Sequence, residues 1–297
     1  MAGTAYLEHL TDDDLELLSA SHRKATGETL AVGELRSRLG AIEDLLARPE
    51  VFEAVLGVEK GADPFLRGSP FLVFAVAVHR CSEDLRQAAF VPEWLGPRQR
   101  VAVFDVEALR DFLAEPSRRF FLVELLASYT HVASGSVWVQ TRRGWRRRRF
   151  SELDPVRLAS LLEVVPEPER VGIYRRLGDL ALFLTGVFPD HTAVRAMAPI
   201  DAARLLRAAR LATRADEGGG TGGRRDPVEP AGAVGLLEHL GRRWYRLACE
   251  TTSSPTGAMG VVGEVAERFR QARRVLNLVT DRHLFVLRDR WFSPPTG

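Results

Sequence analysis

Residues 142–149 read Arg-Arg-Gly-Trp-Arg-Arg-Arg-Arg, six arginines in eight positions with one indole among them. Guanidinium groups this close repel one another, so the segment needs an anionic partner, nearby carboxylates or full solvation. The planar fork of arginine pairs phosphate and carboxylate oxygens in two-point geometry. The Trp145 ring adds a face on which a base can stack. Arg142, Arg143, Trp145, Arg146, Arg147, Arg148 and Arg149 are therefore the candidate contacts to a nucleic acid or an acidic protein surface, of which a run such as Asp12–Asp14 is an example. The plainer alternative is a solvated basic turn whose arginines pair with Glu152, Asp154 and the protein body.

A second group of residues could collect in a buried polar pocket. Glu124, Ser128 and His131 recur at i, i+4 and i+7 among apolar residues, a carboxylate, a hydroxyl and an imidazole in line. Side chains of one helix face the same way, however, and converge on a substrate only with help from another element. Asp179 interrupts the most apolar stretch of the chain, with Arg175 and Arg176 four and three residues before it. A carboxylate there needs such a partner, because burying it unpaired is costly. His283 falls on an apolar seam, close to Asn277 and Asp281. The structural alternative for each is an ordinary satisfied polar group in a core.

Familiar catalytic and metal patterns are missing. Gly218-x-Gly220-x-x-Gly223 matches a dinucleotide fingerprint by letters, but no apolar strand precedes it and Arg224-Arg225-Asp226-Pro227 follows it in place of a helix start. The tetrapeptide Glu-x-x-His of di-iron bundles does not occur, and Cys81 and Cys249 form no CxxC pair. The sequence thus implies no cofactor and no metal, and the balance leans away from an enzyme.

The elements that must position these residues are mostly helical. Thr11 followed by Asp12–Asp14 reads as an N-cap with acids in the first turn. Further helices are expected over 29–48, from Ser69-Pro70 to about Gln87, over 106–114 with Asp105 as cap, and from Ser117 to about Ala133. The run from Glu169 to about Val187 carries two apolar faces and should be central, with Gly178 and Ala181 admitting a close neighbour. Helices over 199–214, 231–249 and 258–287 complete the set. The last carries Val262, Val265, Phe269, Ala272, Leu276, Val279, His283 and Val286 at alternating spacings of 3 and 4, an a/d seam that should pack lengthwise on another helix. The one convincing β signal is the pair of short runs flanking Arg142-Arg143-Gly144, a hairpin that must lean on helices. Residues 216–230, DEGGGTGGRRDPVEP, read as a flexible Gly-rich loop or linker.

Composition sets the frame. An apolar fraction of 45% over 297 residues is ample for a core. The net charge is +2, and without the six clustered arginines the remainder would carry −4, so the positive charge is local and a globally basic coat protein is excluded. Lysine occurs only at Lys24 and Lys60. No apolar run approaches the roughly 20 residues that cross a bilayer, and Glu8 and His9 interrupt any signal-peptide core. The expectation is a cytoplasmic, mainly α protein, one irregular bundle of about ten helices over 1–297 with one small basic β-hairpin. Its expected role is non-catalytic interaction or regulation, the arginine hairpin meeting an anionic partner. The alternatives are a helical ligand binder or enzyme with a buried polar pocket, and a structural subunit whose 262–286 seam faces a partner or a second copy.

Overall fold

The computed structural model describes residues 2–37, 40–57, 64–131, 134–141, 144–194, 199–211, 232–252 and 257–285, with the backbone alone for 134–141 and 145–150. The Gly-rich 216–230 segment, Arg142, Arg143 and Val286 lie outside the described residues. The fold is mainly α, with fifteen α-helices and two separate two-stranded sheets among the described residues. The chain divides into two compact units, each assembled from separated stretches. The first contains Met1–Glu93, Val101–His131 and the chain from Arg274. The second contains Trp94–Arg100 and Val132–Arg273.

In the first unit, Thr11 and Asp14 form a reciprocal capping box at the start of α2 (Asp12–Thr26), which follows α1 (Ala2–His9). The Asp14 carboxylate is fully buried and also accepts from the Ser69 amide at 2.8 Å. It therefore joins the start of α2 to the cap of α6 (Pro70–Gln87) and is no part of an exposed acidic patch. Asp12 pairs with Arg36. Every residue from Phe71 to His79 in α6 is buried, because α4 (Ala41–Leu46), α5 (Pro49–Val55), α7 (Glu107–Ala114) and α8 (Pro116–Ser128) pack around it. Arg110 donates to the carbonyls of Leu85 and Ala88 at 2.8 Å each, satisfying the end of α6.

Several expected helices are shorter or divided. The 29–48 expectation resolves into α3 (Val32–Ser37) and α4, with Gly40 preceding α4. Asp105 caps nothing; Val106 holds the N-cap position of α7 and Asp105 instead accepts from Arg274. The next helix stops at Ser128 rather than near Ala133. A second hairpin, β1 (Val91–Gly96) with β2 (Gln99–Val103), accompanies the arginine hairpin. Its turn places Arg98 at a φ of 58°, a left-handed conformation that a non-glycine residue announces weakly in sequence.

In the second unit, α9 (Pro155–Ala159) follows the arginine hairpin, and α10 (Arg170–Val187) is buried continuously from Leu177 to Val187. Counting α11 (Pro189–Val194) and α12 (Pro199–Leu211), the helix that packs most extensively on α10 is α13 (Gly232–Glu250). Their approach depends on two glycines. A Cβ at Gly178 would lie 2.3 Å from Tyr245 Cδ1, and one at Gly241 would lie 2.5 Å from Phe269 Cζ and 2.8 Å from Ala181 Cβ. The expected 258–287 helix, whose residues from Arg274 belong to the first unit, is broken at Arg268 into α14 (Ala258–Glu267) and α15 (Phe269–Val279), followed by a π-helical turn over Thr280–Leu284. Val262, Val265, Phe269, Ala272, Leu276 and Val279 are each 0% exposed. These six positions of the expected seam are buried.

Candidate functional site

The arginine segment forms β4 (Gly144–Ser151), paired antiparallel with β3 (Ser134–Thr141). The last paired positions are Thr141 and Gly144, and Gly144 takes a φ of 100° that only glycine adopts freely. The register sets Trp145 opposite Gln140, Arg146 opposite Val139, Arg147 opposite Trp138, Arg148 opposite Val137 and Arg149 opposite Ser136. Neither strand contains a carboxylate. The two acids nearest in sequence are Glu152 and Asp154. Glu152 accepts from Arg176 at 3.0 Å, and Asp154 caps α9 through the amides of Val156 and Arg157 while pairing with the Arg157 side chain at 3.1 Å. Helix α9 packs on β4, which supplies the support an isolated ribbon lacks.

The five residues of the expected polar pocket fall on several separate elements. Glu124, Ser128, His131 and His283 belong to the first unit and Asp179 to the second. Because α8 ends at Ser128, His131 lies beyond the helix and off the i+7 row. Ser128 and His131 are exposed; the Ser128 hydroxyl donates to the Leu125 carbonyl, and His131 Nδ1 lies 3.0 Å from Thr130 Oγ1. Asp179 is buried, accepts from the Tyr245 hydroxyl at 2.8 Å and has Arg175 Nε at 3.9 Å. This is the satisfied arrangement a buried carboxylate demands. His283 sits in the π turn with Nε2 at 3.4 Å from Asp84, which also faces Arg80 at 3.1 Å and Arg282 at 3.6 Å. Burial outweighs the neighbouring carboxylate and lowers the His283 pKa to about 4, with Arg282 and Arg80 acting in the same direction as burial. The imidazole is thus neutral over the physiological range.

Other polar groupings come from segments too far apart for spacing to reveal. Tyr6 and His79 meet at 3.1 Å in the first unit's core, where burial raises the Tyr6 pKa and lowers that of His79 to about 3. Arg274, 8% exposed, reaches both Glu93 and Asp105 at 3.2 Å. Arg157, Arg204 and Arg207 line a cleft of about 390 Å³ between α9 and α12. Among the described residues no cluster of His, Cys, Asp and Glu could hold a metal ion, and no helix is long and apolar enough to cross a membrane. No protein family matches the chain, and no curated protein or solved structure is significantly similar to it.

Proposed function

We propose that the chain is a non-catalytic interaction or regulatory protein that presents residues 142–149 to a polyanionic partner, a nucleic acid or an acidic protein surface. The observation that supports this reading is the pairing register, which sets four successive arginine positions opposite Val139, Trp138, Val137 and Ser136. Neither strand of the hairpin supplies a carboxylate in its sequence, while Glu152 accepts from Arg176 and Asp154 caps the N-terminus of α9. At about 3.3 Å per residue, positions 146 to 149 extend over about 10 Å, with 146 and 148 on one face of the ribbon and 147 and 149 on the other. Such a strand tracks a phosphate backbone or an acidic segment without reading sequence. Cys81 and Cys249 are free thiols, which supports a reducing, cytoplasmic setting.

Fluorescence anisotropy with a random-sequence DNA duplex, a single-stranded RNA and polyglutamate tests the reading and separates its partner classes. Four phosphate contacts give a slope of about −3.6 in log K against log salt for duplex DNA. Replacing Arg146–Arg149 by alanine should remove that slope. Unchanged binding by this variant, or no retention of any of the three polyanions at low salt, refutes it. Binding of polyglutamate alone assigns an acidic protein partner.

A further inference from the structure

A second cationic feature lies on elements of the second unit and does not depend on the hairpin reading. Helix α9 and the turn after it face α12 across a solvent-open cleft of about 390 Å³, within the usual size range for a small-molecule site. Leu162 and Ala208, both buried, contribute an apolar floor, while Arg157, Arg204 and Arg207 stand around it with Glu163. The three guanidinium groups differ in their commitments. Arg157 pairs with Asp154 at 3.1 Å and Arg204 with Asp201 at 3.3 Å. Arg207 has no carboxylate within ion-pair distance among the described residues. The lining thus sets the Arg207 guanidinium, which no described carboxylate engages, beside an apolar floor.

We infer that this cleft binds a small organic oxyanion, a compact apolar body ending in a phosphate or carboxylate. Arg207 supplies the two-point contact to the anionic end, and the Leu162–Ala208 floor takes the apolar body. The apolar floor separates this site from a simple patch of surface charge, because inorganic phosphate satisfies only half of it.

Titration of the full chain with phenyl phosphate, benzoate, inorganic phosphate and benzyl alcohol, followed by calorimetry, tests the inference. Phenyl phosphate or benzoate should bind with a dissociation constant of about 1 mM, ordinary for so few atoms. Inorganic phosphate should bind more weakly and the neutral alcohol not at all. Arg207→Ala should weaken binding about tenfold, the loss of one charge-assisted contact. Glu163→Gln should strengthen it about two- to threefold by removing a like charge near the anion. Arg207 is exposed, so an unchanged urea midpoint will confirm that its replacement leaves the fold intact. Arg146–Arg149→Ala should leave phenyl phosphate binding unaltered, so the failure of this site and that of the hairpin are told apart. Equal binding of the neutral alcohol, indifference to Arg207→Ala, absence of binding by both aromatic anions, or loss of binding in the hairpin variant overturns the inference.

Discussion

Replacing Gly178 by alanine probes the contact on which the second unit depends. The added Cβ would lie 2.3, 2.4 and 2.9 Å from Cδ1, Cε1 and Cγ of Tyr245, where carbon atoms normally rest about 3.5–4.0 Å apart. The ring must retreat by more than an ångström, yet it is fixed at both ends. Its hydroxyl donates to Asp179 at 2.8 Å, and its ring packs on Phe269 with centroids 5.8 Å apart. Overpacking costs about 1–3 kcal/mol. Breaking the bond to a buried carboxylate costs about 1.5–3 kcal/mol more. Higher helix propensity returns about 1 kcal/mol. The net expectation is a loss of about 1.5–5 kcal/mol in urea unfolding followed by tryptophan fluorescence and far-ultraviolet circular dichroism. Gly172 lies on the same helix, exposed, with nothing within 4 Å of an added Cβ. Gly172→Ala should therefore stabilise by about 0.5–1 kcal/mol. In a Tyr245→Ala background the Gly178→Ala penalty should vanish, since the obstructing ring is gone. A Gly178→Ala protein within about 0.5 kcal/mol of the parent, the usual spread for harmless surface changes, would refute the close-approach argument.

Two further expectations concern buried charge. His79 and His283 have folded-state pKa values lowered to about 3 and about 4, chiefly by burial, against about 6.5 in the unfolded chain. Below pH 6.5 the unfolded chain therefore binds more protons, so the stability these neutral imidazoles allow is complete above that pH and declines as pH falls. The slope is about 1.4 kcal/mol per pH unit for each histidine. Urea midpoints measured between pH 6.5 and 5 should show it, and His283→Gln should remove about half; an unchanged slope in that variant would contradict the assignment. Arg274→Met should cost about 3–5 kcal/mol by leaving Glu93, 10% exposed in its side chain, without this cation. Arg274→Lys should recover less than half, because an ammonium cannot reach Glu93 and Asp105 with one planar fork; full recovery would count against the bridging geometry.

What the sequence by itself determined was local. The two apolar faces marked α10, the Ser69-Pro70 start marked α6, the Thr11 and Ser69 caps hold where side-chain chemistry put them, and the arginine hairpin turns at Gly144. Each rests on residues within a few positions of one another, and turn chemistry, capping and the period of a helix act over that range. Gly178 and Ala181 were legible as a place of close approach, but not that Tyr245 and Gly241 would meet them. The divided C-terminal helix was missed because an apolar seam can continue through the break at Arg268 and the π turn.

Tertiary structure alone decided the roles of the isolated polar residues. Asp14 became a buried staple because Ser69, 55 positions away, brings its amide to the same carboxylate. Asp179 and His283 were noticed as types out of place, and their neighbours Tyr245 and Asp84 resolve them as members of packed interiors. Arg157 and Arg207 share a cleft only because α9 packs against α12. The physical reason is the same in each case: a charge is stabilised by whatever lies within a few ångströms, and chain folding rather than spacing determines what that is.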